Sequence, residues 1–453
     1  MKKILIANRG EIALRVIQTC KRLGIATVAV YSDADMDMPF VHEADIAFLL
    51  GPPPVQQSYL KAADIIEIAV REGVDAIHPG YGLLSENAEF ARQTEAAGIK
   101  FIGPDAEIIL KMGDKIGSRV TMQVAGVPVV PGTNIGIATL DEAIQEAAKI
   151  GYPIMLKASA GGGGIGMVRC ETEQALSQHF ESVKKRAKAY FGDDVVFLEK
   201  FIANARHIEV QIFGDNAGNI VHLFERNCSV QRRNQKVIEE SPSPNLSEET
   251  RTRLHVAAVD AAKAVGYKNA GTVEFIVDEQ NEIYFLEMNT RLQVEHPVTE
   301  EVTGYDLVEW QIEVARGNNL PVANQANIES VGHAIEFRIY AEDPVKFMPS
   351  PGQISKLNWG NTQGVRIDSG YVEGGNVTPF YDPLISKVIV HANTREEAIE
   401  KSKAFLLDVK IVGLKTNIPL FNEFLDYEGF RSGDYTTAVL EEWFEKKEED
   451  KIK

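Results

Sequence analysis

Cysteines and long apolar runs are what this sequence of 453 residues has least of. The 3 cysteines, Cys20, Cys170 and Cys228, are scattered without the spacing of a disulfide framework or a zinc site. No apolar run approaches membrane-spanning length, and the short run near the N-terminus ends at residues 8–11, well short of a signal-peptide core. We therefore expect a cytoplasmic protein with no membrane partner.

Positive charge is also in short supply. Acidic residues number 65 and basic residues 47, which gives a formal net charge of −18. This excess argues against nucleic acid, or an anionic membrane, as a partner of the surface as a whole. Any site for an anion must therefore be built from a local cluster of Lys and Arg side chains.

The apolar pattern that is present indicates an α/β fold with more than one domain. A chain of this length with 44% apolar residues is too long for one core and suggests two to four domains. The opening pattern predicts a strand at Ile4–Ile6, a helix at Ile12–Leu23 and a strand at Thr27–Tyr31, which form a βαβ unit. Loops after the carboxyl ends of such strands bind ligands, so Tyr81 and Gly82 are candidates, with a plain tight turn as the alternative.

Two predicted strands, Thr272–Asp278 and Glu282–Met288, form a hairpin that carries acidic residues in an apolar frame. An unpaired buried charge at Glu274 or Glu287 would be costly, and a shared cation would remove that cost. Asn289 lies two residues beyond Glu287 and so on the same face. These oxygen ligands suit Mg²⁺ or Mn²⁺ better than zinc. Partly exposed carboxylates at a sheet edge are the alternative.

The residues that follow this hairpin add a dense set of polar groups. Arg291, Gln293, Glu295 and His296 come directly after the predicted metal ligands. A metal ion, a guanidinium and a carboxylate in one place suggest phosphoryl transfer, which requires mainly positioning and charge stabilisation from a protein.

A glycine-rich stretch, Ser159–Gly166, lies between predicted strands at Tyr152–Ala158 and Met167–Cys170. Its glycines leave backbone N–H groups free to fold over phosphates. It is not a Walker A loop, because Gly-Lys-Ser/Thr and a following helix are missing. With Lys157 just before it, the stretch predicts a lid over a nucleotide, and a flexible linker is the alternative. Lys115, at the start of a predicted helix, is either a second cation of the site or a solvated charge.

Polar residues also alternate along a predicted strand in the middle of the chain. His207, Glu209 and Gln211 share one face of that strand, which either contacts solvent or lines a site. The polar and basic run at residues 225–236 is flanked by predicted strands and is expected to line a cleft, with Cys228 as a small packing residue. Both segments remain open between a surface and a site.

The chain from about residue 330 onward is expected to form a separate unit. A predicted strand at His333–Tyr340 carries Arg338, and a proline-rich loop follows at Pro344–Gly352. A final helix is expected at Thr437–Phe444, with a charged, frayed end after it.

Six motifs follow one another along the chain: ILIANRGEIALRV, HPGYGLLSEN, KASAGGGG, EKFI, CSVQRR and EMNTRLQVEH. Their order and spacing resemble those of the biotin carboxylases, members of the ATP-grasp superfamily, over essentially the whole chain. The resemblance implies three domains. They are an N-terminal domain with a doubly wound parallel sheet at 1–112, an ATP-grasp domain at 113–329 with a mobile glycine-rich lid at 132–204, and a biotin carboxylase C-terminal domain at 330–453.

The reaction implied by the resemblance starts from ATP and bicarbonate. These give carboxyphosphate, which carboxylates N1 of biotin on a separate carrier protein, as the first half-reaction of acetyl-CoA carboxylase in fatty acid synthesis. The implied cofactor is Mg²⁺ or Mn²⁺. The implied partners are a biotin carboxyl carrier protein and a carboxyltransferase, and the implied assembly is a homodimer.

The resemblance also assigns roles to residues. Lys236, Arg291, Gln293 and Val294 would hold bicarbonate, Glu295 would deprotonate it, and Arg338 would stabilise the charge that develops on biotin, with Tyr81 and Gly82 close by. The implied metal ligands are Glu274, Glu287 and Asn289, and the two glutamates would also contact ATP. The other implied ATP contacts are Lys115, Lys157, Gly161, Gly162, Gly163, Gly164, Gly166, Met167, Glu199, Lys200, Ile202, His207, Gln231, Asn234 and Ile276.

Two positions depart from the family pattern. Most relatives have Arg or Lys where this chain has Ile165, and His where it has Asn234, so ATP affinity is the property in question. Two other functions remain open: a different ATP-grasp ligase, such as a carbamoyl-phosphate or purine-pathway enzyme, and a regulatory or binding protein without catalysis.

Overall fold

The computed structural model describes residues 1–160 and 166–452. The predicted ATP contacts Gly161, Gly162, Gly163 and Gly164, together with Ile165, lie outside the described residues. Every helix in the described ranges is too short or too polar to cross a bilayer.

The N-terminal segment is a parallel sheet with helices packed against it. Its elements are β1 (Lys3–Ile6), α1 (Gly10–Arg22), β2 (Ala26–Ser32), α2 (Pro39–Glu43), β3 (Ile46–Gly51), α3 (Ala62–Arg71), β4 (Ala76–His78), α4 (Ala88–Ala96) and β5 (Lys100–Phe101). The strand order is β3-β2-β1-β4-β5, and all neighbours are parallel. Ile4, Leu5 and Ile6 are fully buried, as expected of a strand covered on both faces. The predicted fold class is confirmed.

The middle segment contains a small unit with its own core. The first elements of the middle segment are α5 (Ala106–Gly113), α6 (Lys115–Val124), α7 (Leu140–Ile150), β6 (Ile154–Ala158), β7 (Met167–Cys170), α8 (Glu173–Phe191) and β8 (Val196–Lys200). Strands β7, β6 and β8 form a sheet, and α7 and α8 contribute to a core of which Leu156, Phe180 and Leu198 are members. This unit falls within the predicted lid at 132–204, whose motion stays a prediction.

The rest of the middle segment builds the strands that carry the site. They and their helices are β9 (Arg206–Gly214), β10 (Ile220–Arg232), β11 (Gln235–Ser241), α9 (Glu248–Ala264), β12 (Asn269–Val277), β13 (Ile283–Asn289), α10 (His296–Thr303) and α11 (Leu307–Ala315). Residues 225–236, expected only to line a cleft, mostly belong to β10 and β11. The two strands turn at Arg233 and Asn234, both with positive φ, the backbone of a tight hairpin.

The last segment adds strands to the same sheet. Its elements are β14 (His333–Tyr340), β15 (Gly352–Gln353), β16 (Lys356–Asn358), β17 (Val365–Ser369), β18 (Asn376–Val377), β19 (Leu384–Ala392), α12 (Arg395–Asp408), β20 (Lys410–Val412), α13 (Ile418–Phe424), α14 (Glu428–Arg431) and α15 (Val439–Ile452). The helix expected to end at Phe444 continues to Ile452, so the frayed end is not observed within the described residues.

A single eight-stranded antiparallel sheet joins the middle and last segments, in the order β13-β12-β9-β10-β11-β14-β19-β17. The boundary expected at about residue 330 therefore stays a prediction, although the strands of the last segment continue the sheet of the middle segment. Strand β11 pairs with β14 through Ile238 opposite Phe337 and Glu239 opposite Glu336. Pairing leaves neither strand with an exposed edge at this junction. The site described below lies around one face of this sheet.

Candidate active site

A row of charged residues crosses four neighbouring strands of the large sheet. Glu287 on β13 lies opposite Glu274 on β12, Glu274 lies opposite Glu209 on β9, and Glu209 lies opposite Arg226 on β10. Like charges directly opposite each other repel, so three carboxylates in a row require cations. Arg226 donates from Nε to Glu209 Oε1 at 2.6 Å and is fully buried. The polar face of β9, left open between solvent and a site, is buried within this row.

Glu274 is the most heavily hydrogen-bonded carboxylate in the row. Its oxygens accept from Lys236 Nζ at 3.1 Å, Asn289 Nδ2 at 2.8 Å and Gln293 Nε2 at 2.9 Å, and lie 2.7 Å from His207 Nε2. Burial alone would raise the pKa of Glu274, but Lys236 and His207 outweigh it and hold the pKa far below its usual range. Glu274 is therefore ionised at any ordinary pH.

Glu287 has less positive charge around it. Lys115 Nζ lies 3.9 Å from its carboxylate. Burial and the neighbouring Glu274 raise the pKa of Glu287, although Lys115 opposes them. A divalent cation between the two carboxylates would relieve this repulsion, and Asn289, two residues along β13, adds an amide oxygen. The residues present therefore fit the predicted Mg²⁺ or Mn²⁺ site, with hard oxygen ligands.

Lys236 lies at the centre of three carboxylates. Its Nζ donates to Glu209 Oε2 at 2.6 Å, to Glu274 Oε1 at 3.1 Å and to Glu295 Oε1 at 2.6 Å. Its ammonium therefore joins the charged row to Glu295, which the sequence predicts to be the base.

Glu295 is fully buried at the start of α10 and accepts hydrogen bonds from two cations. Besides Lys236, Arg338 Nη2 donates to its Oε2 at 2.9 Å, and Cys228 Sγ lies 3.7 Å from Oε1. Burial would raise the pKa of Glu295, but Lys236, Arg338 and Arg226 together lower it well below its usual value. Glu295 is thus an anion and able to accept a proton.

Arg338 and Arg291 are each held by an acidic residue that the sequence did not single out. Arg338 donates from Nε to Glu239 Oε1 on β11 at 2.6 Å. Arg291 donates from Nε to Glu86 Oε2 at 3.0 Å and from Nη1 to Gln293 Oε1 at 2.7 Å. Glu86 precedes α4 in the N-terminal segment, more than 200 positions away in the sequence, so no local pattern could have paired it with Arg291.

The N-terminal segment reaches the site through Tyr81. Asn8 Nδ2 donates to Pro79 O at 2.7 Å and to Tyr81 O at 2.8 Å, which fixes the loop after β4. Gly80 has φ of +61°, and a Cβ at that position would lie 2.8 Å from Asn8 Nδ2, so glycine is required there.

A buried lysine of the last segment completes this junction. Lys387 Nζ donates to the predicted bicarbonate contact Val294, at its carbonyl oxygen, over 2.8 Å, and lies 3.2 Å from Glu11 Oε1. The Tyr81 hydroxyl donates to the same oxygen of Glu11. The three segments of the chain therefore meet at the loop before α10, with Gly82 directly after Tyr81.

The predicted nucleotide contacts, unlike the residues around Glu295, do not converge on one group. Lys157 on β6 pairs with Glu199 on β8, which also accepts from Arg119 Nη1 at 3.0 Å. Lys200 Nζ donates instead to the carbonyls of Gly151 and Tyr152, at 2.8 and 3.0 Å. These bonds hold the ammonium at the turn before β6, so the Lys200 side chain supports that turn.

The remaining predicted nucleotide contacts are spread over β7, β9, β10, β12 and the segments next to them. Gln231 Nε2 lies 2.8 Å from His207 Nδ1 and donates to Cys228 O at 2.8 Å. Gly166 accepts through its carbonyl from Ala158 N at 2.9 Å. Three apolar residues are partly buried: Met167 at the start of β7, Ile202 after β8 and Ile276 on β12. Asn234 stands apart from them, because it is exposed at the tip of the β10–β11 hairpin.

Family models match nearly the whole chain. They are "Biotin carboxylase, N-terminal domain" over residues 1–109, "Carbamoyl-phosphate synthase L chain, ATP binding domain" over residues 114–323, and "Biotin carboxylase C-terminal domain" over residues 336–442.

Whole proteins and solved structures match over the same extent. The chain is 56% identical over 439 residues to the biotin carboxylase of Halalkalibacterium halodurans, with 97% of each chain covered. It is 49% identical over 442 residues to a pyruvate carboxylase subunit of Methanothermobacter thermautotrophicus, with 97% of this chain and 90% of that one covered. The biotin carboxylase domain dimer of Hydrogenobacter thermophilus 2-oxoglutarate carboxylase, in complex with MgADP, ADP and bicarbonate, has a TM-score of 0.95 at 48% identity, with 97% of each chain covered.

Proposed function

The chain belongs to the biotin carboxylase family, and from this premise we propose that it uses ATP and bicarbonate to carboxylate a biotin carried by another protein. It is an ATP-dependent ligase whose substrates are ATP, bicarbonate and biotin. The observation that carries the proposal is the convergence of Lys236 and Arg338 on the buried carboxylate of Glu295, next to the facing pair Glu274 and Glu287.

In the first step, Glu295 takes the proton of bicarbonate. Lys236 and Arg291, with Gln293 and the backbone at Val294, would hold the anion against that carboxylate. The resulting carbonate oxygen attacks the γ-phosphorus of ATP, which gives carboxyphosphate and ADP. Proton removal from bicarbonate is needed because its conjugate base is the stronger nucleophile.

The charges around Glu295 fit this role in two ways. Its low pKa ensures that it is ionised before bicarbonate arrives. When bicarbonate takes over hydrogen bonds from Lys236, the carboxylate loses part of that stabilisation and its pKa rises, which makes it a better base.

The nucleotide lies, in this proposal, between the small unit and the large sheet. Lys115 and Lys157 would hold its phosphates beneath the glycine-rich loop, and Glu199, Lys200 and Ile202 would line the adenine. Glu274 and Glu287, with Asn289, would hold Mg²⁺ or Mn²⁺, which supplies positive charge to the phosphate oxygens when bound.

In the second step, carboxyphosphate splits into CO2 and phosphate. The phosphate takes the N1 proton of biotin, and N1 attacks the CO2 to give carboxybiotin. Negative charge develops on the ureido oxygen of biotin during this step. Arg338 is suited to stabilise that charge because a guanidinium is permanently charged and is held here by Glu239 and Glu295. Tyr81 and Gly82 would line the biotin side of the site.

The proposal also names the molecule that finally receives the carboxyl group. We place the chain in acetyl-CoA carboxylase, as the component for the first half-reaction of fatty acid synthesis, with a biotin carboxyl carrier protein and a carboxyltransferase as partners. Because similar chains serve pyruvate and 2-oxoglutarate carboxylases, the acceptor has to be tested directly, by supplying each carboxyltransferase in turn. A homodimer is proposed from the dimeric relative, and a reducing cytoplasm from the free cysteines Cys20, Cys170 and Cys228.

ATP cleavage tests the function against its alternatives. A biotin carboxylase should cleave ATP only with bicarbonate and faster with free biotin. Another ATP-grasp ligase would cleave ATP without any response to biotin, and a protein without catalysis would not cleave it under any of these conditions.

A further inference from the structure

Two buried glutamates behind Arg338 have oxygens without a hydrogen-bond partner. Among the described residues, Glu239 Oε2 and both carboxylate oxygens of Glu336 receive no hydrogen bond. Both side chains are completely inaccessible to solvent. Burying an ionised carboxylate in this way is strongly unfavourable, so the native protein must compensate for it.

The two carboxyl groups face each other across the sheet. Glu239 on β11 lies directly opposite Glu336 on β14, which puts their side chains on the same face. Cβ atoms in such pairs lie about 4.5–5.5 Å apart, within reach of contact between the carboxyl groups. Two facing carboxylates cannot both remain ionised at low cost, but a proton on one of them lets it donate to the other.

We propose that Glu239 and Glu336 share one proton, and that this pair positions Arg338 and sets how much of its charge acts on biotin. The part concerning biotin rests on the function proposed above. Arg338 connects the pair to the site because its Nε donates to Glu239 Oε1 and its Nη2 donates to Glu295 Oε2. Neither Glu239 nor Glu336 contacts a substrate in the two chemical steps proposed above, so both act only through Arg338.

The charged surroundings favour a partly protonated pair. The groups facing it come from its own strands and from the elements packed on them: Lys236 on β11, Arg338 and Tyr340 on β14, Cys228 on β10, Lys387 on β19 and Glu295 at α10. Burial raises the pKa of Glu239 to about 7, with Glu295 adding to the rise while Arg338 and Lys236 oppose it. Burial also raises the pKa of Glu336 well above its usual value.

This order of protonation gives the pair two states near neutral pH. Above about pH 7, Glu336 holds the proton and the anionic Glu239 compensates part of the Arg338 charge. Below that pH, a second proton binds the pair and makes Glu239 neutral as well, and more of the guanidinium charge is available to Glu295 and to the biotin oxygen. Glu239 is therefore a positioning residue whose charge changes within the working pH range.

The pH dependence of biotin-dependent turnover tests the proposal. Glu239→Gln keeps a carbonyl acceptor for Arg338 but cannot ionise, so an ionisation near pH 7 in the wild-type kcat/KM for biotin should disappear. Glu342→Gln is the matched control, because burial raises the pKa of Glu342 to about 7 as well, and Glu342 pairs with Arg232 instead. That variant should retain the ionisation. Identical profiles for the wild type and Glu239→Gln, or loss of the ionisation in Glu342→Gln only, would overturn the proposal.

Infrared spectroscopy of the carboxyl carbonyl stretch provides a readout that does not require activity. Between pH 6 and pH 8 the wild-type protein should gain and lose the protonated carboxyl signals of both Glu239 and Glu342; Glu239→Gln should keep only the Glu342 signal, and Glu342→Gln only the Glu239 signal. At pH 8 a further protonated carboxyl group should persist in the wild type and be missing from Glu336→Gln. Absence of the Glu239 or the Glu336 signal from the wild type overturns the shared proton. A wild type with these signals but without biotin-stimulated ATP cleavage would instead contradict the proposed function.

Discussion

Replacing Glu295 by Gln removes the proposed base with the least change in shape. General base catalysis contributes about 10²–10⁴-fold to a rate, so bicarbonate-dependent ATP cleavage should fall by that factor in kcat. The two cations that Glu295 binds keep other partners, because Lys236 still bonds to Glu209 and Glu274, and Arg338 still bonds to Glu239. The site should therefore keep its arrangement while losing its proton acceptor.

The structure also indicates how much Glu295→Gln should change the stability of the protein and its affinity for ATP. A Gln side chain keeps one carbonyl acceptor but turns an NH2 donor toward the second cation, so one of the hydrogen bonds from Lys236 and Arg338 is lost and the other loses its anionic acceptor. About 1–3 kcal/mol of unfolding free energy is a fair scale for this loss. Nucleotide affinity should change little, since the proposed phosphate contacts Lys115 and Lys157 do not bond to Glu295. The measurements are kcat for ATP cleavage, the Kd of ATP and the midpoint of thermal unfolding.

Glu240→Gln provides the control for losing a buried, paired carboxylate. Glu240 is the neighbour of Glu239 on β11, but it bonds to His333, Arg395 and Tyr435 on the opposite face of the sheet. This variant should lose stability and retain kcat. If Glu295→Gln retained a rate within a few fold of the wild type, or if Glu240→Gln lost as much activity, the base would have to be a different residue.

Three further predictions concern the metal, the lid and the departures from the family pattern. Glu287→Gln should raise the Mg²⁺ concentration needed for half-maximal ATP cleavage by about tenfold or more, and an unchanged Mg²⁺ dependence would remove Glu287 from the metal site. Saturating ATP should slow amide hydrogen exchange across residues 132–204 if they close as a lid, and unchanged exchange would count against closure. Ile165→Arg should tighten ATP binding by about tenfold, more than Asn234→His does, because a charged hydrogen bond is worth more than a neutral one. Asn234 is at an exposed hairpin tip with φ of +63°, which Asn adopts more easily than most residues, so His should gain little there; a larger gain from Asn234→His would reverse this assignment.

The fold could be predicted wherever local periodicity determines the element. The strands around Glu274 and Glu287 were predicted, apart from the first residues of β12 from Asn269, because apolar alternation and a polar turn mark a hairpin. The strand segments that contain Arg226 and Lys236 were not predicted. Their charged residues interrupt the apolar alternation, and the carboxylates that pair with these charges lie on other strands of the sheet. A polar stretch can form a buried strand only when residues elsewhere in the chain pair with its charges and hydrogen-bonding groups. The local sequence pattern does not contain those residues.

The distance along the chain between pairing partners also explains which site residues were predicted and which were missed. Lys236, Glu295 and Arg338 belong to motifs that the chain shares with a family. Glu86, Glu239 and Glu336 belong to pairings between distant segments, such as the β11–β14 register that places Glu239 opposite Glu336. Sheet register between segments about 100 residues apart is set by tertiary packing, so the residues that support Arg291 and Arg338 could be found only in the structure.

The central claim, that bicarbonate attacks ATP to give carboxyphosphate, is tested most directly with bicarbonate labelled with ¹⁸O. The wild-type protein is incubated with ATP, labelled bicarbonate and free biotin, and the phosphate released is analysed by mass spectrometry before the label exchanges with water. If carboxyphosphate forms, an oxygen of bicarbonate remains on phosphate when the carboxyl group leaves, so ¹⁸O should appear in phosphate together with a carboxylated biotin. Phosphate that takes its new oxygen only from water would contradict the account.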